Sequence, residues 1–307
     1  MELHAVTGAF GFSGKYITAK LLESNINVRT LTNSVNRQNP FGNKVEVVPF
    51  NFDKPNQLVE SLKGVRVLYN TYWVRFNTKG FMHSEAVDNS IILFEAAKKA
   101  GVERIVHTSI TNPSIDSEYE YFRGKAILEN ELLKSGVPHS ILRPAVLFGK
   151  EDILINNIIW TIRALPVVAI FGDGKYKFQP IFVEDYAKLA IEEGKMTGNR
   201  TINAIGPETF SYNEIVKLIC KILGKKRILM RVSKGFGVFA SKIVGKLVGD
   251  VVLTNNELGS LMQGLLCTDS QPAGTTKLSE WIEKNKETAG KTYTSELARR
   301  TDRTKAY

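Results

Sequence analysis

The sequence predicts an α/β protein: a doubly wound parallel sheet with helices on both faces, followed by a small C-terminal lobe. Two observations carry this. Short apolar runs alternate with amphipathic, helix-period segments through the first half of the 307-residue chain, and each strand of a parallel sheet needs such a crossover to reach the next. Three glycines, Gly8, Gly11 and Gly14, stand between the first apolar run and the first amphipathic one, where glycine lets a backbone approach another backbone or a phosphate.

Taken in order, LHAVT (3–7), NVRTLT (27–32), KVEVVPF (44–50), VRVLYNT (65–71), RIVHTS (104–109) and HSILRP (139–144) have the length and the β-branched content of buried strands. The stretches 14–24, 55–63, 83–100 and 120–135 between them predict helices. Gly101-Val102 and Gly136-Val137 stand where a glycine closes a helix before the next strand. After about residue 150 the rhythm changes. ILINNIIWTIRALPVVAIF reads as an apolar helix running into Pro166 and a short strand, and GDG at 172–174 predicts a hairpin before KYKFQPIFV. A helix (185–195), a strand RTINAIG (200–206), a helix (211–224), a basic apolar stretch (234–249) and a charged helical tail (276–303) complete the chain. The domain reading is 1–149 for the sheet and 150–307 for the lobe, with 182–206 returning to the sheet.

Composition narrows the function classes. A net charge of +10 and a pI near 9.4 suit an acidic partner such as a nucleotide, a nucleic acid or an anionic membrane surface. Two cysteines, Cys220 and Cys267, cannot build a disulfide framework and point to a reducing, cytoplasmic compartment. The histidines, His4, His83, His107 and His139, lack metal-ligand spacing, so no zinc site is expected. Neither a basic leader nor a run of about 18 apolar residues appears. A soluble intracellular protein is expected, with peripheral attachment to a membrane open.

Because the glycines follow a strand and open a helix, they predict a Rossmann-type dinucleotide site. The spacing is GxxGxxG, where the dehydrogenase fingerprint is GxGxxG. Gly8, Phe10, Gly11, Phe12 and Gly14 form the loop, with the pyrophosphate on the N-terminus of the helix that starts near Phe12. An acid at the end of the second strand would bind the adenosine ribose and repel a 2′-phosphate. VRTLTNSVNR has none and offers Arg29 and Arg37, whose guanidinium forks match phosphate. NADP(H) is therefore expected over NAD(H). Asp53 is expected either to hydrogen-bond adenine or to cap the helix at 55.

Together VTGAFGFSG, FNFDKP, VERIVHTS, YFRGKAILENELLKSGVPHSILRPAVLFG and QPIFVEDYAKLA resemble the atypical short-chain dehydrogenase/reductases. Within them the likeness is to the NmrA-like group and the group of the complex I NADPH-binding accessory subunit, over roughly residues 1–206. The resemblance implies a Tyr and a Lys at i and i+4, the lysine holding the nicotinamide ribose and lowering the tyrosine pKa from about 10. Tyr121 and Lys125 match it, while Tyr16 and Lys20 share the spacing on the wrong helix. It further implies that Ser109, at the end of the fifth strand, polarises the substrate oxygen; only one of Thr108 and Ser109 can face the cleft. Asn70 would run along the cofactor and Arg143-Pro144 would lie beneath the nicotinamide. Tyr72, Trp73, Arg75 and Phe76 would overhang the cleft, and Asp185 would cap a helix.

Three functions stay open on this reading: hydride transfer to or from a small carbonyl, enone or quinone; epimerisation or dehydration of a nucleotide sugar; and cofactor binding without turnover, as a sensor or assembly protein. In the last third, Phe236, Phe239, Ile243, Leu247 and Val248 alternate with Lys234, Lys242 and Lys246. That pattern suits a helix lying on an anionic membrane or covering a substrate pocket, or one packed on the lobe with its lysines in water. A protein partner for this region is the further alternative.

Overall fold

The computed structural model describes residues 2–78 and 80–301, and the chain divides into two compact units. One runs to Pro144 and takes in Tyr186–Asn203; the other holds Ala145–Asp185 and continues from Ala204.

The first half alternates as its periodicity requires: β1 (Leu3–Thr7), α1 (Phe12–Glu23), β2 (Asn27–Leu31), β3 (Val45–Val48), α2 (Pro55–Leu62), β4 (Val65–Asn70), α3 (His83–Ala100), β5 (Arg104–Thr108), α4 (Glu120–Ser135) and β6 (His139–Pro144). Gly101 and Gly136 close α3 and α4 at φ +76° and +75°, the left-handed region that glycine enters without strain. Next come β7 (Val146–Phe148), α5 (Leu154–Ala164), β8 (Val167–Phe171), β9 (Lys177–Phe178), β10 (Pro180–Phe182), α6 (Val183–Gly194) and β11 (Arg200–Ala204). The chain ends with β12 (Phe210–Ser211), α7 (Tyr212–Ile222), β13 (Ile228–Val232), α8 (Lys234–Val248), α9 (Asn255–Met262), α10 (Leu278–Asn285) and α11 (Glu296–Thr301).

Seven strands form one sheet in the order β11-β6-β5-β4-β1-β2-β3, and β1 to β6 pair in parallel. This is a Rossmann-like α/β fold. Strand order reverses at β1, which has β2 on one side and β4 on the other, and such a switch point opens a crevice at the strands' C-terminal ends. Leu31, Leu58, Leu68, Phe94, Ile105 and Leu128 are among the buried side chains that close the core.

The second unit has its own core, with Phe148, Ile159, Ile170, Ile215 and Trp281 buried together. Two expectations for it fail. The GDG segment makes a turn with Gly172 and Gly174 at φ +60° and +67°, but no hairpin. β8 pairs in parallel with β13 and β9 pairs with β12, so the strands beside the turn find other partners. The tail is not one helix over 276–303. It breaks into α10 and α11 around a turn at Gly290, φ +61°, where a Cβ would lie 2.6 Å from the Trp160 backbone nitrogen. The final residues 302–307 lie outside the described residues.

Candidate functional site: the strand ends beneath the glycine loop

The glycine loop is held by its own backbone. Gly8 leaves β1 at φ +65° and its N–H donates to the Leu31 carbonyl at 2.9 Å, tying β1 to the end of β2. The Gly11 N–H returns to the Gly8 carbonyl at 2.8 Å. At Gly14 a Cβ would stand 2.3 Å from the Gly8 carbonyl oxygen, so only glycine lets α1 pack this closely on the loop. Gly11 is the N-cap of α1, with no side-chain cap and no acid in the first turn. The helix therefore presents uncapped N–H groups and the positive end of its dipole, which fits a pyrophosphate. Phe10 is buried, and Phe12 meets Tyr16 edge-on at 6.0 Å.

The expected adenosine contacts fall in different places. Arg29 points away from that role: its Nε donates to Glu46 at 2.8 Å and Nη1 to the Ser61 carbonyl at 2.8 Å, which anchors β2 to β3 and to the end of α2. Arg37 lies in the connection after β2, partly buried. Asp53 is exposed and does not cap α2, because Lys54 takes the N-cap position without a side-chain bond. Asn70, 1% exposed, staples three strands. Its Oδ1 accepts from Thr7 Oγ1 and from the Tyr72 N–H, both at 3.1 Å, and its Nδ2 donates to His107 Nδ1 at 3.1 Å. Burial, with the Lys125 and His139 charges adding to it, holds His107 well below the ordinary histidine range, so its ring is neutral and can accept.

Along α4, Tyr121, Lys125 and Glu129 fall at one-turn intervals on one face. Lys125 is 1% exposed; its Nζ donates to the Thr108 carbonyl at 2.7 Å and lies 4.3 Å from the centre of the Trp73 ring. Burial pushes its ammonium down to about 7 against the opposing pull of the Glu129 carboxylate. Tyr121 is half-buried and stands edge-on to Trp73 at 5.5 Å and to His83 at 5.7 Å. Trp73 and His83 stack with 12° between their planes, and Trp73 reaches so close to α4 that a Cβ on Gly124 would come within 2.8 Å of it. The other loop residues turn inward. Tyr72 packs on Phe50, Phe52 and Phe81, Phe76 is buried, and the Arg75 guanidinium lies over the Phe76 ring at 5.6 Å.

Ser109 is drawn to a different partner from the one expected of it. Its hydroxyl donates to the Glu129 carboxylate, which also takes both arms of Arg143, Nε at 2.9 Å. The one proton of the Ser109 hydroxyl is therefore committed to Glu129. Arg143 is spent on the same carboxylate. Thr108 shares a 2.7 Å hydrogen bond with the phenol of Tyr186, which is fully buried. Glu129 and Tyr186 were not singled out in the sequence. Glu129 had a legible signal, an acid one turn beyond Lys125 on the buried face of α4; Tyr186 had none. Asp185 does not cap α6 but accepts from the Thr275 and Thr276 N–H groups at 2.8 and 2.7 Å, holding that loop in the second unit.

Residues 8–157 match the family described as NAD(P)H-binding. The chain is 26% identical over 227 residues to NADH dehydrogenase [ubiquinone] 1 alpha subcomplex subunit 9, mitochondrial, from Arabidopsis thaliana, an alignment covering 70% of this chain and 56% of that protein. It thus spans little more than half of that relative's length. Among solved structures, the triphenylmethane reductase of Citrobacter sp. complexed with NADP(H) superposes with a TM-score of 0.75 at 18% identity, over 92% of this chain and 99% of that one. A nucleoside-diphosphate-sugar epimerase from Staphylococcus aureus superposes at 0.74 and 17% identity, over 92% and 100%. At these identities the likeness is one of fold.

Proposed function

We propose, from the match of residues 8–157 to the NAD(P)H-binding family, that the chain is an oxidoreductase of the atypical short-chain dehydrogenase/reductase kind. It passes a hydride between NADP(H) and a small carbonyl, enone or quinone. The observation that carries the proposal is the buried Lys125 one helical turn from Tyr121, at the C-terminal end of β5 where such sheets bind ligands. The nicotinamide, when bound, supplies the hydride chemistry. Lys125 holds a ribose hydroxyl with its ammonium and favours ionisation of the Tyr121 phenol, which gives its proton to the substrate oxygen. Trp73 and His83 stack on each other, with Tyr121 edge-on to both. Ser109 takes no part, since Glu129 holds it.

For the cofactor, the end of β2 carries no acid, and Arg37 lies in the connection that follows it. Both support NADP(H). Two cysteines, Cys220 and Cys267, are too few for a disulfide framework, which supports a reducing compartment. A second reading, cofactor held for structure within an assembly, is favoured by the Trp73 ring over Lys125 Nζ and by the mitochondrial NADH dehydrogenase subunit among the relatives. The test is to load the protein with NADPH, and separately NADH, and to follow cofactor absorbance against a panel of quinones, enones and ketones. Oxidation of bound NADPH by one class supports the reductase. Tight binding with no oxidation by any of them supports the second reading, and a retained oxidised cofactor that turns over a nucleotide sugar supports an epimerase.

A further inference from the structure

We infer that the second unit carries a surface, built on α8 and the strand leading into it, that docks on an anionic lipid bilayer. From Ile215 to Gly249 the sequence has nine lysines and arginines and no aspartate or glutamate. Elsewhere the two signs nearly balance, so almost the whole net charge of +10 resides in this stretch.

Within it, α8 departs at Phe236 and Phe239 from an ordinary surface helix, which turns its large apolar side chains inward. Its packed face is Gly237, Ser241 and Gly245, one turn apart. A Cβ on Gly237 would come within 2.5 Å of the Phe171 ring, and one on Gly245 within 2.5 Å of the Asp250 carbonyl oxygen; Ser241 is buried. By helical geometry the other face carries Phe236 and Phe239, 53% and 60% exposed, with Lys242 and Lys246 exposed beside them. The side chains of Ile243 and Leu247 lie outside the described residues. β13 pairs with β8 alone among the described residues and leaves Ile228 67% and Met230 45% exposed.

The charge and the apolar residues together select the occupant. A basic stretch without carboxylates attracts an anionic partner, and exposed phenylalanines among lysines suit the boundary between lipid headgroups and acyl chains. Nucleic acid would answer the charge and leave Ile228 and Met230 in water. No helix among the described residues is long and apolar enough to cross a membrane, so the attachment proposed is peripheral, with α8 in the plane of the interface.

The experiment is co-sedimentation of the full chain with extruded vesicles of phosphatidylcholine, with and without phosphatidylserine, at low and high salt, with duplex DNA as competitor. The variants are Phe236→Ser with Phe239→Ser, and Lys242→Glu with Lys246→Glu. All four positions are exposed, and circular dichroism and NADPH binding check that the fold is kept. Each lysine near an anionic leaflet changes binding about fivefold. The expected result is pelleting with the mixed vesicles alone, weakened by salt, with a loss of more than about 25-fold for the lysine pair and a clear loss for the phenylalanine pair. Failure of the native chain to pellet with anionic vesicles overturns the proposal. So does a phenylalanine pair that binds vesicles as the native chain does, or displacement of the native chain by DNA that the phenylalanine variant binds equally well; either makes the surface purely electrostatic.

Discussion

Replacing Lys125 by methionine keeps the length of the side chain and removes its charge, and the consequences separate cofactor binding from stability. In the free protein the ammonium titrates near 7, because burial disfavours the charged form more than Glu129, one turn away, can restore. If only the protonated form donates to the ribose, cofactor affinity falls about tenfold between pH 6 and pH 8, and binding takes up a proton. NADH is the ligand to use, since the 2′-phosphate of NADPH would titrate near pH 6 itself, as other phosphate monoesters do at about that value. The assay is a fluorescence titration of NADH at half-unit pH steps. Native protein should show the slope; Lys125→Met should bind weakly with no slope. Stability should move differently. The folded pKa lies below the unfolded value of 10.5, so between about 7 and 10.5 the unfolded chain holds a proton that the fold lacks. The contribution of this site to stability therefore rises with pH through that window. The methionine variant loses that rise and, having no buried charge, should be no less stable at pH 6 than the native chain. A variant that binds NADH as tightly as the native protein, with the same pH slope, would refute the role given to Lys125.

Other substitutions test other parts of the account. Gly14→Ala drives a methyl to 2.3 Å from the Gly8 carbonyl oxygen; urea denaturation should report a loss of about 1–3 kcal/mol, and NADPH affinity should fall more than the stability loss explains. Arg37→Glu should reverse the cofactor preference, weakening NADPH relative to NADH by about tenfold or more, the worth of one charge-assisted contact; an unchanged ratio places the 2′-phosphate elsewhere. Glu193, 2% exposed, accepts from Ser140 Oγ at 2.6 Å and pairs with Arg200 at 3.0 Å. Glu193→Ala should cost about 1–3 kcal/mol in thermal or urea unfolding, because it strands the buried Ser140 hydroxyl, while leaving the glycine loop intact.

What was legible in the sequence was local. The segments 83–100 and 120–135 coincide with α3 and α4, because their apolar period and their closing glycines are properties of a few neighbouring residues. The glycine loop was legible for the same reason: Gly8, Gly11 and Gly14 each answer a steric demand within the loop. Choice of partner was not legible. Ser109 had a hydroxyl in the expected place, and only the folded chain shows it on Glu129 with Arg143 beside it. Arg29 fitted a phosphate by type but meets Glu46, a residue one strand over. The turn at 172–174 has hairpin chemistry, yet β8 and β9 take β13 and β12. In α8 the apolar pattern was visible, and Gly237 and Gly245, against the Phe171 ring and the Asp250 carbonyl, mark the packed side.

Tyr121 is proposed to donate the proton that accompanies hydride transfer, and a single-turnover comparison tests that role. Native protein and Tyr121→Phe, each loaded with NADPH, are mixed with the substrate class that oxidises the native complex, and cofactor absorbance is followed by stopped flow. The phenyl ring keeps the edge contacts with Trp73 and His83, so cofactor affinity should be unchanged while the oxidation rate falls by about 10²–10⁴, the usual worth of a positioned general acid. An equal rate in the two proteins would contradict the account.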